Sequence, residues 1–225
     1  MGKFIVIAGT DGSGKATQTE ILANYLRESG YKVRVFDFPR YGQKSAQFVE
    51  MYLRGEFGSA KSVSPYVASL FYAIDRHFAA EDIAKAVESE DFVLTNRYIT
   101  ANMGHQGGKI KDVEERNKYL DWLEELEHEK LELPRPNQVI FLYLPPVQNL
   151  ELNKKKGFRE YLGDAKDIHE EDQNHMVEAS EAYKQIADDK GWTRIDCLRD
   201  GELMTREEIA QIIRGKLGLA KKSEC

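Results

Sequence analysis

Residues 9 to 18 read GTDGSGKATQ, with Gly9, Gly14 and Lys15 at the spacing G-x-x-x-x-G-K. Glycines so placed let successive backbone N–H groups wrap an oxyanion, and the lysine reaches its outer phosphates. A strand-like KFIVIAG precedes the stretch, and a helix-like ATQTEILANYL follows it, whose N-terminal end also favours an anion. Thr10, Gly12, Ser13 and Thr17 complete the loop. The position after the lysine normally offers a Ser or Thr hydroxyl to magnesium, and Ala16 has no oxygen to give. Thr17 lies about 100° further round the helix, so it is no simple substitute. Asp11 is the nearest carboxylate able to hold Mg2+, directly or through water. Its alternative reading is a turn residue favoured by its side chain.

Arginines and aromatics recur where strands end. FPRYG follows the apolar run VRVFDF, which puts Arg40, with Phe38 and Tyr41, at the sheet edge where doubly wound folds bind ligands. In YVASLFYAIDR, Tyr72 and Arg76 are four apart, so a helix sets an aromatic plate beside a guanidinium. Arg97 follows DFVLTN, where its planar donor fork can pair with phosphate oxygens. The alternatives are ordinary ones: a turn for FPRYG, a core aromatic for Tyr72, a packing histidine for His105.

The elements that must position these groups are legible as alternation. KFIVIAG, VRVFDF, DFVLTN and QVIFLYL are continuous apolar runs typical of buried parallel strands, and WTRIDC is a weaker fifth. Amphipathic stretches lie between them, including ATQTEILANYLRESG and TREEIAQIIRGKLG, which implies a parallel sheet with helices on both faces. SVSPYVASLFYAIDRHFAAEDIAKAVES reads as one long helix opened by Ser and Pro, with 112–130 as its partner. NKKKGFREYLGDAKDIHEED, 153–172, is rich in charge and interrupts the pattern after the fourth strand, as a mobile excursion would.

A net charge of −6 argues against a broad nucleic-acid or anionic-membrane surface, so phosphate must be met by local cations. Two cysteines, Cys197 and Cys225, form no CxxC, which argues against a disulfide framework or a zinc site and fits a reducing cytoplasm. The longest apolar run, VIFLYL at 139–144, is too short to span a bilayer.

Taken in order, GTDGSGKATQ, DFPRYGQKS, YVASLFYAIDR, NRYITANMGHQGG and DIHE resemble the thymidylate kinases over roughly residues 3–197. The resemblance implies an α/β, P-loop NTPase-type three-layer fold: one nucleoside monophosphate kinase domain over 1–225, a five-stranded parallel sheet flanked by helices, and a lid near 153–172. It implies ATP with Mg2+ on residues 9–17, with Lys15, Arg97 and Asp11 as the catalytic set and Asp11 as metal ligand. It assigns the acceptor monophosphate and its sugar to Phe38, Arg40 and Tyr41, the base to Tyr72, and base or phosphate to Arg76. Asn102 falls at a position that can hydrogen-bond the thymine edge, and Gln106 at a base-side position. In the lid, Lys154, Lys155, Lys156 and Arg159 are candidates for the donor phosphates, and Asp167 and Glu170 form the D-x-x-E at its end.

Several positions depart from the family pattern: Ala16; Asn96 where the family has Asp; His105 where many relatives have a Tyr that crowds the ribose 2′ position; and Ile168 where an arginine is frequent. The implied reaction is phosphoryl transfer from ATP to a pyrimidine monophosphate, dTMP first among them. A nucleoside kinase using Asp37 as base, and a non-catalytic nucleotide-binding protein, are the alternatives. The family commonly forms homodimers through helices that here fall near 43–54 and 64–88.

Overall fold

The computed structural model of the chain describes residues 1–146 and 173–219. The stretch 153–172, with Arg159, Asp167 and Glu170, lies outside the described residues. Five parallel strands, β1 (Lys3–Gly9), β2 (Val33–Asp37), β3 (Phe92–Asn96), β4 (Gln138–Tyr143) and β5 (Thr193–Asp196), form a sheet in the order β2-β3-β1-β4-β5.

The apolar runs are continuous because the central strands are covered on both faces. Phe4, Val6 and Ala8 of β1 face one core, together with Val93 and Phe141. On that side pack α4 (Ala80–Ser89), α5 (Ile99–His105), α6 (Val113–Glu124) and α7 (Gln173–Asp189). Ile5 and Ile7 point the opposite way, into a second core with Leu94, Ile140 and Leu142. Leu22 and Leu26 of α1 (Lys15–Glu28) and Ile209 and Ile213 of α8 (Arg206–Lys216) close it. Thr205 and Glu208 start α8 with a reciprocal capping box that satisfies two of its orphan N–H groups.

The expected long helix over 62–89 is two helices. α3 (Pro65–His77), capped by Ser64, ends at Phe78, and α4 begins after the buried Ala79. The physical reason is that its apolar residues serve two cores. Ala68, with Phe71 and Tyr72 beside it, packs with Val49, Tyr52 and Leu53 of α2 (Gln47–Leu53), whereas Ile83, Ala86 and Val87 pack against the sheet. One straight rod cannot aim a single stripe at both. The expected 112–130 helix likewise stops at Glu124 and continues as a π-helical turn, Glu125–Lys130, which turns Glu127 fully inward. A short hairpin, β6 (Leu198–Arg199) with β7 (Glu202–Leu203), was not anticipated. Its Asp200–Gly201 turn, both residues at positive φ, is the dipeptide such hairpins favour.

Helix α5 lies against α7 because Gly104 has no side chain: a Cβ there would meet the Tyr183 ring at 2.1 Å. Among the described residues no helix is long and apolar enough to cross a membrane.

Lys109, just beyond α5, donates to the Tyr52 hydroxyl at 3.0 Å, and burial pushes its ammonium down to about 8. The unfolded chain therefore binds one more proton than the native protein between about pH 8 and pH 10.5, so this group penalises folding below pH 8 and the penalty fades as pH rises. Lys109→Met is expected to stabilise the protein by about 1–2 kcal/mol at pH 7. Denaturant melts at pH 7 and at pH 10 check this: the gain should be present in the first and much reduced in the second.

Candidate active site

The loop after β1 is held by its own lysine. Lys15 is buried, its Nζ donating to the Thr10 carbonyl at 2.6 Å and lying 3.7 Å from Asp11 Oδ1. Gly14, at φ 87°, caps α1 without a side-chain bond, which leaves the first-turn N–H groups directed at the loop's concavity. Gly9 is fixed sterically: at φ 147°, a Cβ would meet Ser13 Oγ at 2.5 Å and the Leu142 carbonyl at 2.7 Å.

A cleft of about 470 Å³ surrounds this loop. Gly12 to Gln18, including Ala16 and Thr17, form its floor with Asn96 and Arg97. The opposite wall is largely apolar, built from Leu144, Cys197, Leu203, Met204, Arg206 and Ile209. Sequence reasoning missed this wall. Its signal was present in LRDGELMTREE, a hairpin turn followed by a helix cap, but nothing local says that the hairpin folds over the loop. Burial pushes the Cys197 thiol up to about 12, so it stays an inert wall group.

A second cleft collects most of the remaining candidates. Phe38, Tyr41, Tyr72, Arg76, Asn102, His105 and Gln106 all line it, with Asp11 and Arg97 at its inner end. Tyr72 is half-buried and meets Tyr52 edge to face at 6.2 Å. Asn102 donates to the Ser69 carbonyl at 3.2 Å, and Ser69, Tyr119 and the Asn102 carbonyl form a buried hydroxyl chain beneath it. Gln106 is 1% exposed, and its Oε1 has no hydrogen-bond partner among the described residues.

Each of the three arginines meets a carboxylate. Arg97, in the left-handed region at φ 66°, pairs with Asp11 and lines both clefts. Arg76 makes a two-toothed pair with the fully buried Glu127. Arg40 does not line the second cleft. Its Nε donates to Asp75 Oδ1 at 3.0 Å and its Nη2 to the Asp75 carbonyl and Ser45 Oγ, while its guanidinium lies 5.9 Å from the Phe38 ring centre.

Asn96 donates to Asp37 Oδ1 at 2.8 Å across the β2–β3 register. Loss of hydration pushes the Asp37 carboxyl above its ordinary value, opposed by Arg97, by the Asn96 amide and by Lys15. Among the described residues no three His, Cys, Asp or Glu side chains gather as a metal cage.

The thymidylate kinase family model matches residues 7–209. The thymidylate kinase of Mycobacterium tuberculosis (strain ATCC 25618 / H37Rv) is 30% identical over 190 residues, 84% of this chain and 87% of that protein. The chain belongs to the thymidylate kinase family. Another family member, from Prochlorococcus marinus, is 26% identical over 92% of each chain. The solved thymidylate kinase of Candida albicans superposes with a TM-score of 0.71 at 21% identity, covering 96% of this chain and 91% of that one, a likeness of fold. This family member thus carries the nucleotide-binding kinase architecture that its loop and alternating strands imply.

Gly9→Ala tests the loop geometry. It is expected to cost about 2–4 kcal/mol of stability through overpacking and backbone strain, and to abolish ATP binding. Denaturant melts and ATP titration by calorimetry check the two effects.

Proposed function

We propose that the protein transfers the terminal phosphoryl group of ATP to dTMP, forming dTDP. The observation that carries this is the meeting of the two clefts at Arg97: it lines both, so that a donor loop and an aromatic, amide-lined acceptor cleft share one cation, which pairs with Asp11 of the loop. Family membership over residues 7–209 supports the same reading, and with it one kinase unit along the chain.

In this reading ATP lies on Gly9–Thr17 with its adenine against the Leu144, Met204 and Arg206 wall. dTMP lies in the second cleft, its base on Tyr72 between Asn102 and Gln106, its sugar by Phe38 and His105, and its phosphate toward Arg97 and Tyr41. A nucleoside monophosphate has a second pKa near ~6, so the attacking oxygen is already anionic at neutral pH and needs no base. Asn96 is then no handicap. What remains is positioning and charge neutralisation, supplied by Lys15, Arg97 and the first-turn N–H groups of α1. Asp11 is the carboxylate that would hold Mg2+, which would supply charge neutralisation on the donor phosphates; Arg97, beside Asp11, is the cation that faces the acceptor phosphate. The lid cations and the pair Asp167 and Glu170 complete the proposed donor side.

Arg40 and Arg76 take different parts from Arg97. Their carboxylate partners, Asp75 and Glu127, are almost fully buried and hold them in place, whereas Asp11 beside Arg97 is partly open, so Arg40 braces the turn after β2 and Arg76 serves the base side. The protein acts as a homodimer, a reading supported by an apolar stripe of Val67, Leu70, Ile74 and Phe78 that stays exposed along α3 and its end.

Three measurements test the proposal. With ATP and Mg2+, kcat/KM across dTMP, dUMP, UMP and dCMP should be highest for dTMP, and faster turnover of thymidine would overturn the reading. Asp11→Ala should weaken Mg2+ dependence and lower kcat by about 10²-fold or more. Leu70→Glu with Ile74→Glu should sediment as a monomer where the parent protein sediments as a dimer.

A further inference from the structure

Lys109 is a half-buried cation to which the proposed reaction gives no task. Among the described residues no carboxylate pairs with its ammonium, and loss of hydration is the cause that lowers its affinity for a proton. The side chain meets one residue, Tyr52: Nζ donates to the hydroxyl at 3.0 Å and lies 5.6 Å from the ring centre. A cation placed this way works against folding, and a residue kept at a cost to stability serves something other than stability.

The two partners belong to different walls of the second cleft. Lys109 closes the 3₁₀ turn Gly107–Lys109, and its backbone N–H donates to the Gln106 carbonyl at 3.1 Å. The turn thus continues the wall formed by Asn102, His105 and Gln106. Tyr52 lies on α2 beside Leu53, which lines the same cleft, and its buried ring stands edge to face against Tyr72. One hydrogen bond between residues 57 apart therefore joins the stretch behind Gln106 to the stretch behind Leu53 and Tyr72.

That bond matters because of how α2 and α3 are seated. Val49, Tyr52, Leu53, Val63 and Ala68 form a small apolar cluster of their own, separate from the two cores that cover the sheet. Apolar contact is non-directional, so polar contacts must fix where this unit sits. Arg40 with Asp75 does so near the end of α3, and Ser69 with Tyr119, at 2.7 Å, does so in its middle. For α2, Lys109 supplies the contact. A bond from an ammonium is charge-assisted and directional, which an apolar side chain of equal length cannot reproduce.

We propose that Lys109 is a positioning residue for the acceptor: its bond to Tyr52 latches α2 to the wall that continues from α5, and so sets the separation between Leu53 and Tyr72 on one wall and Gln106 on the other. The inference rests on the reading that the second cleft takes the acceptor nucleotide. Neither Lys109 nor Tyr52 lines that cleft, so the latch acts without touching substrate.

Lys109→Met and Tyr52→Phe each remove one partner and keep most of the bulk. Each should raise KM for dTMP about fivefold or more, with KM for ATP and kcat within about twofold of the parent. The double variant should be no worse than either single one, because both lose the same bond. Lys109→Arg keeps a charged donor and should recover most of the dTMP affinity. Since Lys109→Met is expected to be the more stable protein, its weaker hold on dTMP cannot come from a damaged fold. Should Tyr52→Phe fail to fold, Lys109→Met and Lys109→Arg decide alone.

A Lys109→Met protein with the parent's KM for dTMP overturns the latch, and so do single effects that add in the double variant. Both results leave the assigned reaction standing. Absence of ADP formation by the parent protein with dTMP would overturn that reaction, and the latch with it.

Discussion

The site depends on how its cations are held before any substrate arrives. Three arginines converge on one region of a protein whose net charge is negative, and each is met by a carboxylate from elsewhere in the chain: Asp75 for Arg40, Glu127 for Arg76, Asp11 for Arg97. A guanidinium buried without such a partner carries a desolvation cost of several kcal/mol, so the pairs are what allow the cleft to be both cationic and closed. They differ in burial. Arg76 and Glu127 are sealed, the side chains of Arg40 and Arg97 are each 24% accessible, and of their partners Asp75 is sealed at 1% whereas Asp11 is 15% accessible. Of the three pairs, Arg97 with Asp11 alone is partly open on both sides.

The sheet sets where these pairs form. β1 lies between β3 and β4, and the register Ile7 to Asn96 puts the end of β3 beside the start of the phosphate loop. Arg97, one residue past the strand, donates its backbone N–H to the Ile7 carbonyl and turns through a positive φ, which swings its side chain over Asp11. That one strained residue joins the two clefts. Strain at such a point is tolerable because the backbone bond to β1 and the Thr95 hydroxyl bond to the Arg97 carbonyl fix it from both sides.

The departures at Ala16 and Asn96 are compatible with this arrangement. Ala16 is exposed at the first turn of α1, so its missing hydroxyl leaves no hole in the packing. Asn96 donates to Asp37, which leaves a carboxylate at the neighbouring strand end instead of its own. An acidic group therefore stays within the field of Lys15 and Arg97, on β2 and not on β3, although Asp37 lines neither cleft.

The sequence by itself determined the strands, the phosphate loop and the family. Each rests on local pattern: an apolar run long enough for a buried strand, glycines at a fixed spacing, a capping residue before a helix. The family resemblance also named Tyr72, Arg76, Arg97, Asn102 and Gln106, which the structure brings together along one cleft. The tertiary structure decided which carboxylate each arginine meets, since Arg76 and Glu127 are 51 residues apart, Arg97 and Asp11 86, and Arg40 and Asp75 35. It also decided that the helix over 62–89 breaks at Phe78, that Glu127 turns inward through a π-helical turn, and that the end of the 198–203 hairpin walls the cleft around the loop. Charge pairing and the division of a helix between two cores have no sequence period. They depend on which surfaces the packed sheet brings within a few ångströms of each other, and no local stretch of chain records that.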